Sequence, residues 1–160
     1  MDIASPLTNS ILAGVFAAAL GVGLTTAPNA LIPSFFCGFA GRFVRDILIG
    51  QGVSLAVAVS VAAAVCVVVA ALQVREQQNI SMVALVTGVL PLGAAVALFD
   101  LIENVVALAT LKGDALTRPT LQLAADVGTV VITTSAIALG LLVGFVVTAP
   151  LRRVRTTPPW

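Results

Sequence analysis

Ionised side chains set in apolar surroundings are the residues of this chain most able to do chemistry. Six stand out: Arg42, Arg45, Asp46, Asp100, Glu103 and Asp126. Arg45 lies three residues and Asp46 four residues beyond Arg42, so the three share one helical face. Asp100, Glu103 and Asn104 repeat that spacing. An arginine is permanently charged and binds carboxylates through a fork of donors, whereas a carboxylate can take up and release a proton. Two arginines and four carboxylates at one level would form a single buried network. Such a network could hold an anionic or zwitterionic substrate on Arg42 and Arg45 and move protons on Asp46, Asp100, Glu103 and Asp126. The plainer reading is that charges near helix ends reach to the headgroups and only anchor the chain. Arg45, Asp46 and Asp100 fit either role, and Asp126 also suits the start of a helix. Arg42, the deepest by position, carries the stronger expectation of binding.

The other chemical feature is a stretch reading Gly88-Val89-Leu90-Pro91-Leu92-Gly93. Proline removes an internal hydrogen bond and glycine loosens the backbone, so a helix is expected to break here. Interrupted membrane helices expose main-chain groups to substrates and ions, although a simple kink is the alternative. Thr129, Thr133, Thr134 and Ser135 add hydroxyls that can also bond to their own backbone. The chain has neither histidine nor tyrosine, which removes imidazole bases and ligands and tyrosyl nucleophiles. Cys37 and Cys66 lie in apolar stretches, with no spacing that suggests a metal site or a disulfide framework. No enzyme, metal or cofactor is expected.

The elements that must position these residues follow from composition. Of 160 residues 59% are hydrophobic and 9% charged, and the mean hydropathy is +1.13. A soluble domain carries about 25% charged residues, so the medium around this chain is lipid. The net charge of +1 gives no ground for nucleic-acid binding. A spanning helix needs about 20 mostly apolar residues. On that rule residues 1–151 form one all-α, polytopic membrane bundle of about five spans, near 7–24, 31–49, 53–74, 80–111 and 121–149. The fourth breaks near Pro91, and residues 152–160 form a short cytoplasmic tail. Four spans remain possible if 31–49 does not cross. Small residues four apart, Ala17 with Gly21, Ala58 with Ala62 and Gly140 with Gly144, are expected to bring helices close together.

Orientation follows from the basic residues. No Lys or Arg precedes the first apolar run, which argues against a signal peptide and for an external N-terminus. Arg75, Arg152, Arg153 and Arg155 fall on one side, against Lys112 and Arg118 on the other, which places the C-terminus in the cytoplasm.

The order of these features resembles the threonine/serine exporter family, in particular its small five-span subunit, along nearly the whole chain. A short first span precedes Gly38-Phe39-Ala40-Gly41-Arg42-Phe43-Val44-Arg45. An uncharged third span, the break at Leu90-Pro91-Leu92-Gly93 and a long last span with Asp126 near its start and Arg152-Arg153 after it complete the pattern. The resemblance implies secondary transport out of the cell across the inner membrane, of threonine and serine or of a dicarboxylate such as succinate. It also implies a larger five-span partner subunit, and places Arg45 and Asp126 where the family often has polar residues. The chain departs from the family in separating the proline and glycine of the fourth span by Leu92, in having Gly88 where an earlier proline is usual, and in the acidity of Asp100 and Glu103. The expected function is thus the small subunit of a proton-coupled exporter of small carboxylate-bearing metabolites, working with that partner or as a homo-oligomer. A non-transporting membrane scaffold is the rival.

Overall fold

Prolines mark where three of the helices start. Pro6, Pro33 and Pro119 each occupy the third position of a helix, in α1 (Ala4–Thr25), α2 (Leu31–Gly50) and α5 (Thr117–Arg155). A backbone N–H in the first turn has no intrahelical partner, so a residue that lacks one is tolerated there. The computed structural model describes residues 4–25, 31–73, 78–92, 101–106 and 117–155. The remaining helices are α3 (Leu55–Gln73) and α4 (Gln78–Val89), and a 3-10 turn at Leu90–Leu92 follows α4. Residues 101–106 are also helical. Only residues 51–54 of those described lie outside helices, and none forms a strand. The all-α class is as expected.

Gly52 explains how α2 stops. Its φ of 83° is the left-handed conformation that side chains resist. With Gly52 there, its N–H donates to Ile49 O at 2.9 Å and the Val53 N–H to Leu48 O at 3.0 Å. These two bonds satisfy carbonyls that a helix end otherwise leaves open. The turn sends the chain back at once, and Ser54 O accepts from the Ala58 N–H at 3.0 Å to open α3.

α3 is the centre of the packing because it has no charge and few large side chains. Ala58, Val59, Ala62, Ala63, Cys66, Val67 and Ala70 are all buried, and α2, α4 and α5 lie against them. Close approach is made by the small residues. A Cβ on Gly140 would strike the Ser60 carbonyl of α3, and one on Gly144 would come within 2.7 Å of Val67 Cβ. Ser60 Oγ also donates to Ala136 O at 2.9 Å, fixing α5 against α3. On the other side, a Cβ on Gly38 would lie 2.5 Å from Ala17 of α1, and one on Gly88 2.5 Å from Cys37 Cβ of α2. Cys37 and Cys66 are free and fully buried, each with its Sγ toward the other's carbonyl at 3.7 and 3.4 Å.

These contacts also give the directions of the helices. Ser60 faces Ala136 and Gly140 while Val67 faces Gly144, so α3 and α5 run the same way. Cys37 meets Gly88 and Arg42 meets Pro91, so α2 and α4 are likewise parallel. Gly41 meets both Ala62 and Cys66 while Cys37 meets Cys66, which makes α2 and α3 antiparallel.

Three helices are long and apolar enough to cross a membrane, over Pro6–Leu24, Leu55–Gln73 and Gln122–Ala149. α2 has 20 residues but carries Arg42, Arg45 and Asp46, and α4 has 12. At 1.5 Å per residue α4 extends only about 18 Å, short of a hydrocarbon core of about 30 Å. The fourth span, expected over 80–111 with a break near Pro91, changes to a 3-10 turn at Leu90–Leu92. α5 is longer than expected. Its 39 residues begin before Pro119 and continue through Pro150 to Arg155, where a tail was anticipated. A helix that long extends about 58 Å, so its ends reach well past any span. Its flanks are apolar and uncovered, with Val131, Ile132, Leu139, Leu142, Val143 and Val146 all exposed.

Three outcomes test this packing. Gly140→Ala should destabilise the detergent-solubilised protein by about 1–3 kcal/mol, because the atom it strikes is backbone that cannot swing aside. Gly23→Ala, where a Cβ meets nothing within 4 Å, should leave the thermal midpoint unchanged or raise it. Cys37 and Cys66 should both resist a membrane-permeant maleimide in the folded protein and both react after denaturation in SDS, as read by mass.

Candidate functional site

The buried residues of α2 are Ser34, Cys37, Gly38 and Gly41, and half-buried Arg45 continues the line of Ser34, Gly38 and Gly41 at spacings of four, three and four residues. That spacing keeps Ser34, Gly38, Gly41 and Arg45 on one side of a helix. The two glycines let α1 and α3 approach, and Arg45 is drawn in at the end of the same stripe. Its side chain is 15% exposed, less than the 23% of Arg42. Nε and Nη1 of Arg45 are buried and make no hydrogen bond among the described residues. Asp46 Oδ1 lies 4.0 Å from Nη1, close enough for attraction but too far for a bond. Ser34 Oγ, at the other end of the stripe, is also buried without a partner.

Arg42 is held on both sides. Its Nε donates to Asp46 Oδ2 at 3.0 Å, one turn along the same helix, and its Nη1 donates to the Pro91 carbonyl at 3.3 Å. That second acceptor belongs to the 3-10 turn Leu90–Leu92 that follows α4. Arg42 thus joins α2 to the break that follows α4.

The break lies at Pro91 alone among the described residues. Gly88 was expected to contribute to it, but it stays helical, and its missing side chain serves instead to seat α4 against Cys37 and the Gly38 N–H. Gly93 and Asp100 lie outside the described residues.

The expectation of one network at one level is met only in part. Arg42, Arg45 and Asp46 do come together. Asp126 pairs elsewhere, accepting a 2.6 Å bond from Asn104 Nδ2, and Glu103 is exposed. The helix contacts explain the separation. Gly41 faces Ala62 of α3, and Ser60 of α3 faces Ala136 of α5, so the arginines are level with residues near 136–140 of α5. Asp126 precedes Ala136 by ten residues, about 15 Å along the axis. The described polar groups therefore divide into an arginine site beside the break and an Asn104–Asp126 pair nearer the start of α5.

Hydroxyls on α5 mostly serve their own helix. Thr129 Oγ1 donates to Ala125 O at 2.9 Å and Thr133 Oγ1 to Thr129 O at 2.7 Å. Thr134 and Ser135 are exposed. Among the described residues no group of three Cys, Asp or Glu could hold a metal. Sequence reasoning missed the Pro91 carbonyl as a ligand of Arg42, and it missed the enclosure of Arg45. The second was legible in the repeat of Ser34, Gly38, Gly41 and Arg45, since glycines at that spacing mark the side of a helix that other helices approach.

Comparison with protein-family models, with curated proteins and with solved structures finds no match for this chain. The arrangement of the site is thus read on its own chemistry: two guanidinium groups, one carboxylate and a broken helix end, enclosed by apolar helices.

A double-mutant cycle measures how far Arg42 and Asp46 act as a pair. Arg42→Met should destabilise strongly, because it leaves Asp46 partly buried beside a single, more distant arginine. Asp46→Leu in the Arg42→Met background should recover part of that loss, with a coupling of about 1–3 kcal/mol by unfolding in mixed micelles.

Proposed function

We propose that this chain is a membrane-embedded, five-span subunit of a secondary-active exporter of small carboxylate-bearing metabolites. The observation that carries the proposal is Arg45. Two of its guanidinium nitrogens are buried with no hydrogen bond among the described residues, one turn along α2 from Gly41, which meets Leu92 of the 3-10 turn. Leaving such donors without an acceptor costs free energy that a bound carboxylate would recover. Transporter sites are typically built at interrupted helices, where main-chain groups become available. The enclosure of Nε and Nη1 fits an occluded state, one step of an alternating cycle.

Arg42, expected as the main ligand, takes a positioning role in this reading, since both its bonded nitrogens are engaged. Arg45 is the primary carboxylate ligand. Asp46 is the nearest proton carrier, with Asp100 and Glu103 as further candidates, and Asp126 contributes from the Asn104 pair to a substrate path rather than to the same contact.

Helix direction supports five crossings. α2 and α4 run one way and α3 and α5 the other, so the chain between α3 and α5 must return across the bundle once. The break in α4 then lies within that crossing. Lipid covers the apolar flank of α5, or a larger five-span partner subunit or a second copy does. The basic residues favour an external N-terminus and a cytoplasmic C-terminus in the inner membrane. The threonine/serine exporter resemblance in Gly38–Arg45 and Leu90–Gly93 leads to the same class of activity.

Efflux from cells tests the proposal. Cells producing the chain, with its partner where one exists, should release threonine, serine or succinate faster than cells without it. Arg45→Gln should reduce that release at least about tenfold, as expected when a charge-assisted carboxylate contact is lost, at unchanged membrane abundance. Wild-type efflux from Arg45→Gln would remove the residue from the mechanism. No efflux of any of these solutes with or without the chain would favour a scaffold that does not transport.

A further inference from the structure

Only two of the 160 residues are cysteines, and the fold brings them together. Cys37 lies on α2 and Cys66 on α3, 29 residues apart in sequence, so no local spacing hints at a pair. They face each other across the contact between these antiparallel helices. The Cys37 thiol points to the Cys66 carbonyl, Sγ to O 3.7 Å, and the Cys66 thiol points back to the Cys37 carbonyl at 3.4 Å. Reciprocal contact of this kind sets the two residues opposite one another, as a disulfide requires. Both side chains are fully buried, and their surroundings are tight. A Cβ on Gly41 would lie 2.5 Å from Cys66 Sγ, and one on Gly88 2.5 Å from Cys37 Cβ. Among the described residues no group of three Cys, Asp or Glu could hold a metal. A disulfide needs neither a third ligand nor added volume, since its sulfurs, about 2.05 Å apart, take up less space than two thiols.

We infer that Cys37 and Cys66 are an oxidisable pair: a small peroxide converts them into a disulfide that ties α2 to α3. The inference goes beyond the proposed function and stands whether or not the chain transports. In the reaction one sulfur, giving up its proton, attacks a peroxide oxygen and becomes a sulfenic acid. The O–O bond breaks, and the other oxygen leaves as water. The second sulfur then displaces the sulfenic hydroxyl, which leaves as water with the proton of the second thiol. Two electrons pass from the sulfurs to hydrogen peroxide, and two waters form. Reagents of ordinary size do not reach thiols packed like these, but hydrogen peroxide is little larger than water. The tie closes a loop of chain, which removes freedom from the unfolded state, and it fixes the arginine-bearing helix against the centre of the bundle.

Hydrogen peroxide added to the full-length protein in lipid nanodiscs tests this. The oxidant is removed with catalase, free thiols are trapped with a maleimide in SDS, and cross-linked peptides are identified without reduction. Peroxide should lower the fraction of chains that take up two maleimides at least about tenfold, and should give one peptide pair joined through Cys37 and Cys66. Dithiothreitol in SDS should restore both maleimide sites. The thermal midpoint of the oxidised wild type should rise, whereas Cys37→Ala and Cys66→Ala should show no rise on the same treatment. Two free thiols after peroxide would overturn the inference. So would oxygen added to either cysteine without the cross-link, or a disulfide found only between two chains. A midpoint that falls on oxidation would show that the sulfurs meet only by distorting the bundle, and would overturn it as well.

Discussion

A charge in the middle of an apolar bundle must find partners within reach of its own side chain, and the surroundings of Arg42 are built on that requirement. Asp46 supplies one partner from the same helix. The other comes from the Pro91 carbonyl, where α4 gives way to a tighter turn. The break and the arginine are therefore two parts of one arrangement. The guanidinium needs an acceptor in surroundings that offer little water, and the turn supplies one.

The rest of the bundle keeps that arrangement in place by being small and uncharged. α3 has no ionised group and presents alanine, valine and Cys66 to its neighbours, so its backbone can come close to α2, α4 and α5 at once. Glycines do the same on the opposing helices, at Gly41 against Cys66, Gly88 against Cys37 and Gly140 against Ser60. Such close contacts between backbones hold apolar helices together through packing. Close approach also excludes polar partners. Arg45, at the end of the glycine stripe of α2, is enclosed by the same packing that binds the helices together, and it is left with donors to spare.

Much of this was legible in the residues. A hydrophobic content of 59% with 9% charge points to apolar helices, and the structure has three long and apolar enough to cross a membrane. The break at Pro91, the turn after α2 and the close-packing small residues of α3 and α5 each follow from local chemistry: a missing N–H, a conformation open to glycine, a missing side chain. The grouping of Arg42, Arg45 and Asp46 follows from their spacing. These are properties of neighbours along the chain, and periodicity alone determines them.

What the tertiary structure decided is everything that depends on which helices meet and at what height. Position along α2 made Arg42 look the deeper of the two arginines, yet burial depends on which side of the helix faces its neighbours, and that side belongs to Arg45. The acceptor of Arg42 lies 49 residues away on another element, beyond the reach of any local rule. Asp126, near the start of the last span, was expected at one level with the arginines. α5 is far longer than a span, so its early residues sit about 15 Å further along the axis. Periodicity determines the face a residue shares with its neighbours in sequence, but only the packing of one helix on another determines what that face meets.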